Sequence, residues 1–186
     1  MKTSSKRSTL IELLVVIAII GILAGLVFPA LGVVRNNAKK SKASSECQSL
    51  KTAIIMYESE FSCWPAKVSG STDALVGSSE YVDMCDRLTG NNSKKMVFYE
   101  VGVGYKEGDG ILDPWGRPYQ VILDVNFDDR IDNKVKAVSA VNSVNGRTGQ
   151  DLRTRVAVYS FGVDEKDKEA TNVDKLASRK KLVISW

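Results

Sequence analysis

Histidine is missing from all 186 residues. That removes the commonest general base and the commonest zinc ligand, and with them every histidine-dependent mechanism. No G-x-S-x-G, glycine-rich phosphate loop or Cys/His cluster occurs either, so the usual marks of nucleophilic, phosphoryl-transfer and metal-hydrolase chemistry are lacking. Paired carboxylates such as Asp128 and Asp132 are present, but carboxylates alone define no cleft. The chain reads as a non-enzyme. A strong excess of one charge is lacking too. The net charge is +4 with 22 acids among the bases, and Lys2, Lys6 and Arg7 supply three of the four surplus charges. With 22 acids interspersed, the basic charge forms no nucleic-acid footprint on the body, and no nucleic-acid partner is expected.

Cysteine is scarce, at three residues. Outside a reducing compartment one bridge can form and one thiol is left over. Cys47 and Cys63 are the poorest pair, because they are 16 residues apart on what reads as one helix. That separation reaches about 24 Å, against a Cα–Cα limit of about 7 Å for a disulfide. Cys63–Cys85 is the expected pairing. The alternative is three small buried apolar residues.

What the chain does have is one long uncharged run, Leu13–Val34, 22 residues that follow Ser8-Thr9-Leu10-Ile11-Glu12. As a helix it reaches about 33 Å, enough to cross a bilayer core of about 30 Å. Glu12 stands at its start, where an isolated charge in lipid is costly and implies a partner or a task. The alternative is a solvated flank at headgroup level. The basic stretch before the run also fits a secretory signal, with Phe28-Pro29-Ala30 as a fair cleavage match. The run is longer than the apolar region of such signals, about 7–15 residues, so a plain membrane anchor is the stronger alternative. Charge does not orient the span, since Lys2, Lys6 and Arg7 on one side face Arg35, Lys39, Lys40 and Lys42 on the other. Gly21 and Gly25 form a G-x-x-x-G pair that lets helices approach closely. Pro29 removes a backbone donor and is expected to kink the helix.

The helix continues beyond the run. Cys47, Leu50, Ile54, Tyr57 and Phe61 form a single apolar stripe, and Trp64-Pro65 ends it, because the residue before proline avoids the α region. The result is one helix of about 50 residues, apolar all round in its first half and amphipathic in its second. After Gly/Ser-rich turns around Asp73–Val76, Tyr81–Leu88 reads as a short helix stopped by Gly90-Asn91. Met96–Val101, Tyr119–Val125 and Val156–Phe161 read as strands, with a last short one at Leu182–Ser185, and Ser139–Asp151 reads as a flexible loop. Strands without crossover helices predict an α+β fold, in which a small antiparallel sheet packs on the amphipathic half of the helix. Asp124, Asn126, Asp128, Arg130 and Asp132 fall at the alternate positions of a calcium loop. Asp129 stands where such a loop has glycine, and Val135 where it has glutamate. A plain acidic turn between strands is the other reading.

The stretch Ser8-Thr9-Leu10-Ile11-Glu12-Leu13-Leu14-Val15-Val16-Ile17 and onward to Ala24 resembles the N-terminal signature of type IV pilins and type II secretion pseudopilins. Trp64-Pro65 resembles the Tyr-Pro that closes the long helix of major pseudopilins. Asp113-Pro114-Trp115-Gly116-Arg117-Pro118-Tyr119 resembles a turn of the same proteins, and Val156–Gly162 a late strand. The resemblance spans nearly the whole chain and is greatest to a major, G-type pseudopilin.

It implies residues 1–7 as leader, 8–34 as transmembrane and filament-core helix, 35–64 as the amphipathic half, and 65–186 as a pilin-like head. It also implies a prepilin peptidase acting at Arg7–Ser8, methylation of Ser8, and pairing of Glu12 with the freed amine of a neighbouring subunit. Arg7 departs from the glycine of the family pattern; if it blocks cleavage, Arg7 or Lys6 would substitute for the amine. The implied partners are further copies of the chain, minor pseudopilins, an inner-membrane assembly platform, and the membrane before assembly. The implied location is a single pass in the inner membrane with the head in the periplasm, and a periplasmic filament after assembly. Relatives often bind calcium in a C-terminal loop. Here the matching stretch, Asp164–Asp167 through Asp174, is interleaved with lysines, and Lys180 and Lys181 stand where acids are common. The alternatives are a type IV or minor pilin for adhesion, DNA uptake or motility, and an anchored periplasmic domain that never polymerises.

Overall fold

The computed structural model describes residues 10–68, 72–100, 102, 105–106, 108–135, 138, 149–162 and 183–185, with the side chains of 26–30 left out. The chain divides into two units, Met1–Ala38 and Lys39–Trp186. One helix, α1, runs Leu10–Phe61 over 52 residues. It stops as expected: Ser62 turns into the left-handed region (φ 53) while its N–H still reaches Glu58 O at 2.7 Å, and Trp64-Pro65 follows. This is a helix end closed by one αL residue, with proline close behind to prevent continuation.

In the second unit the predicted stripe is buried. Cys47, Leu50, Ile54 and Tyr57 lie inside together with Ala43 and Ala53, and Phe61 packs against the same core. Next come β1 (Ala74–Leu75), α2 (Ser78–Leu88), β2 (Tyr105–Lys106), β3 (Gly110–Ile111), β4 (Gln120–Leu123), β5 (Val156–Ser160) and β6 (Val183–Ile184). Among the described residues β1-β4-β5-β6 form one antiparallel sheet and β2-β3 a separate two-stranded pair. The fold is α+β, with the second part of α1 packed on a small antiparallel sheet. α2 presents Tyr81, Met84, Cys85 and Leu88 to the core and stops at Thr89, where Gly90 takes φ 115, the stop anticipated at Gly90-Asn91.

Alternation along the central strands sends side chains to two different cores. Val121, Leu123, Val156 and Val158 face α1 and α2. Ile122, Ala157 and Tyr159 face the opposite way, into a second cluster with Ile131, Val138 and Leu152. From the described part of the connection between β4 and β5, Ile131, Val138 and Leu152 pack on that face, and paired backbone bonds join Ile131 to Leu152 at 2.9 and 3.0 Å. A sheet buried on both faces explains why β4 and β5 read as unbroken apolar runs.

Two expectations on the strands change. Met96–Val101 is no strand over its described residues, 96–100. The N–H groups of Phe98 and Tyr99 both donate to Leu88 O, at 2.8 and 3.1 Å, and Phe98 turns its ring onto Tyr57 and Phe61. These two donors thus go to the end of α2, and that of Met96 to the Asn92 side chain, instead of to a ladder. Strands β1, β2 and β3, of two residues each, were not foreseen. The loop expected at Ser139–Asp151 and the stretch Asp164–Asp174 with Lys180 and Lys181 lie wholly or mostly outside the described residues.

Candidate functional site

Leu10 through Val34 is the region that calls for a partner. Leu13, Leu14, Val15 and Val16 are consecutive, so at 100° per residue they point to every side of the helix, and all four are about half exposed or more. The same holds for Ile17, Ile19, Ile20, Ile22 and Leu23, and again for Leu31, Val33 and Val34. Nothing lies within 4 Å of a Cβ placed on Gly21 or Gly25, so both present bare backbone. Glu12 occupies the first turn of α1 and is exposed; a carboxylate there also suits the positive end of the helix dipole. Arg7 and Ser8, the expected processing site, lie outside the described residues, as does the Pro29 side chain. Among the described residues no helix is long and apolar enough to cross a membrane.

Polar contacts in the second unit hold α1 to the sheet. The turn Asp113–Tyr119 is closed by the Asp113 carboxylate, which accepts the N–H groups of Trp115 and Arg117 at 2.9 Å each and the Ser160 hydroxyl at 2.6 Å. Gly116 takes φ 81 inside it, a conformation suited to glycine. The turn delivers Tyr119, whose hydroxyl donates to Glu46 Oε2 on α1 at 2.6 Å. Burial first, and then the neighbouring Glu46 carboxylate, push the Tyr119 hydroxyl far above its ordinary range, so it remains a donor. Further along, Arg155 reaches Glu58 at 3.0 Å and lies beside both Trp64 and Phe127, whose rings stack at 5.5 Å. Trp64 Nε1 donates to Asp124 O at 2.8 Å.

The acidic loop after β4 closes on itself. Asp124 accepts the N–H groups of Asp128 and Asp129, Asp128 accepts that of Arg130, and Asn126 that of Asp128. Asp73 joins from the β1 side, taking Val125 N and Asp132 N at 3.2 and 2.6 Å. Desolvation raises the Asp73 carboxyl above its usual range, against the lowering effect of those two bonds. Asp129, in the glycine position of the calcium pattern, takes φ 63, and Phe127 takes φ 58; stacking on Trp64 holds Phe127 in a conformation that a bulky residue seldom adopts. Of the oxygens named for calcium, those of Asp124, Asn126 and Asp128 thus accept backbone donors and Asp132 stands 3.8 Å from Lys134, and among the described residues no group of three or more Asp, Glu, Cys or His side chains is arranged to hold a metal ion.

The Cys63–Cys85 bridge does not form, and all three cysteines are free. Cys85 faces the core from α2 beside Tyr81, where Gly110 passes so closely that a Cβ there would lie 3.0 Å from the sulfur. Cys63 is exposed beyond the end of α1. Burial pushes the Cys47 thiol up to about 12 and the Cys85 thiol to about 11, so both behave as small apolar residues.

No family model and no solved structure matches the chain. Among curated proteins it is 34% identical to the type II secretion system core protein G of Aeromonas hydrophila over 123 residues, 64% of this chain and 73% of that one. It is 33% identical to the protein of the same name from Pseudomonas aeruginosa over 114 residues, 61% of this chain and 70% of that one. It is also 40% identical to a fimbrial protein of Neisseria meningitidis, over 42% of this chain and 45% of that one.

Proposed function

The chain belongs to the pilin-like family of type II secretion system core protein G, and on that premise we propose that it is the major structural subunit of a periplasmic pseudopilus, polymerising through its N-terminal helix to drive type II protein secretion. The observation that carries the reading is the bare apolar surface of α1 between Leu10 and Val34. Covering the exposed part of each large side chain there is worth about 1 kcal/mol. Summed over the helix this is on the order of 10 kcal/mol, comparable with the whole stability of an ordinary domain. Such a helix needs lipid or other helices around it.

Before assembly the uncharged run Leu13–Val34, taken whole, spans the inner membrane once, with the head in the periplasm. During assembly the same surface packs against the helices of neighbouring copies, with Gly21 and Gly25 allowing close approach. Glu12 sets axial register by pairing with the freed amine of Ser8 on a neighbour, since an unpaired carboxylate among apolar helices makes any other stagger costly. A prepilin peptidase cleaves at Arg7–Ser8 and Ser8 is methylated. Minor pseudopilins and an inner-membrane platform complete the machine, and the subunit itself does no covalent chemistry. A second reading, a type IV pilin, draws on the similarity to fimbrial proteins; long surface filaments instead of short periplasmic ones would favour it.

Glu12→Ala tests the assignment. Membrane insertion is expected to persist while filament assembly is lost, as read by fractionation and electron microscopy; normal filaments from the variant would refute the register role. Intact-mass analysis of native material should find a chain beginning at a methylated Ser8, and a retained Arg7 would exclude pilin-type processing.

A further inference from the structure

The sequence holds no acid between Glu12 and Glu46, and the charges that do occur there are all basic: Arg35, Lys39, Lys40 and Lys42. In the proposed topology these residues follow the membrane span on the side away from the cytoplasm, where the positive-inside tendency disfavours them. Bases kept against that tendency call for a counter-charge, and the chain supplies little of one. Lys39, Lys40 and Lys42 fall within about one turn of α1. Lys40 and Lys42 are exposed and Lys39 is half-buried. Among the described residues neither Lys39 nor Lys40 makes an ion pair, and Lys42 stands 3.7 Å from Glu46 Oε1. That is longer than a charge-assisted hydrogen bond, about 2.7–2.9 Å, and the other Glu46 oxygen already accepts the Tyr119 hydroxyl at 2.6 Å. The ammonium groups therefore keep donors free for an external anion.

We propose that Lys39, Lys40 and Lys42 bind the headgroup phosphates of anionic phospholipids at the periplasmic face of the membrane, holding the unassembled subunit there until it is drawn into the filament. The choice of lipid over a soluble anion rests on sequence continuity: the three lysines begin five residues after Val34, the end of the uncharged run. The proposal rests on the membrane-anchored reading given above. Lys and Arg near an anionic surface each add about fivefold to partitioning, an effect that salt screens.

The test uses the full chain in non-ionic detergent, titrated with phosphatidylglycerol or phosphatidylcholine of the same acyl chains and read by native mass spectrometry. Phosphatidylglycerol should be retained at least tenfold better, and K39Q/K40Q/K42Q should remove the preference, by about fivefold per lysine, with the thermal midpoint of the head unchanged. Equal retention of the two lipids, or a triple variant that keeps the preference, overturns the proposal. Displacement of the lipid by millimolar inorganic phosphate would assign the lysines to a soluble anion and overturn it as well. A wild-type chain that does not partition into phosphatidylcholine vesicles overturns the anchored subunit itself; one that partitions without headgroup preference overturns only the lysine assignment.

Discussion

The two parts of α1 share one backbone conformation and differ in what their side chains touch. Ile17 and Ile20 are 60% and 58% exposed, whereas Leu50 and Ile54 are fully buried and only the opposite face, at Met56, opens to solvent. Their compositions differ as well: the earlier part is almost wholly apolar, with glycines and a proline, whereas the later part is polar outside its buried stripe. The difference is where the covering surface comes from. The later stripe is covered by α2 and the sheet of the same chain, so its burial is part of folding. The earlier surface is left exposed among the described residues, and in the proposed reading its burial depends on lipid and on subunit concentration.

Substitutions of one kind in the two parts sharpen this contrast. Ile54→Ala should lower the stability of the head by about 2–5 kcal/mol, read from a denaturant melt of the detergent-solubilised chain. Ile17→Ala should leave that melt where it was and weaken assembly instead. Similar losses in the melt from both would remove the distinction.

Tyr119→Phe probes how α1 is latched to the sheet and should cost about 1–2 kcal/mol, because Glu46 loses its shortest hydrogen bond. The raised Tyr119 hydroxyl keeps the wild-type latch intact from neutral into mildly alkaline pH, so the difference between the two proteins should stay constant over that range.

A smaller effect is expected in the chemistry of the thiols. Thiolate is the reactive form, and burial raises Cys47 to about 12 and Cys85 to about 11. At pH 8 a maleimide should therefore label the exposed Cys63 alone in the native protein. Labelling of all three without denaturant would contradict the packing around α2. The smallest effect should come from a chelator: the Asp124–Asp132 loop is closed by its own backbone donors, and an unchanged melting midpoint is expected. A lower midpoint in chelator would reveal a cation drawing those carboxylates away from the backbone.

Much of the fold was legible in advance where neighbours along the chain decide it. The stripe from Cys47 to Phe61, the stop at Trp64-Pro65, and the strands at β4, β5 and β6 all depend on periodicity or on steric rules between adjacent residues. The strand expected at Met96–Val101 failed because its apolar residues serve an aromatic cluster with Tyr57 and Phe61. That is a choice between two kinds of packing that β propensity does not register. Strands β1, β2 and β3 are too short to carry a period. The exposed apolar surface and the position of Glu12 were readable directly, since the charge pattern of one segment contains them.

By itself the sequence determined a long helix with two different characters and a carboxylate in its first turn, because composition and a 3.6-residue period act locally. Only the tertiary structure decided that the sheet is buried on both faces, that Cys85 packs inward while Cys63 stays outside, and that Asp73 and Asp124 spend their oxygens on backbone N–H groups. Each of those outcomes depends on which donor or apolar group, distant in sequence, comes within a few ångströms once the chain has closed, and no local pattern specifies that distance.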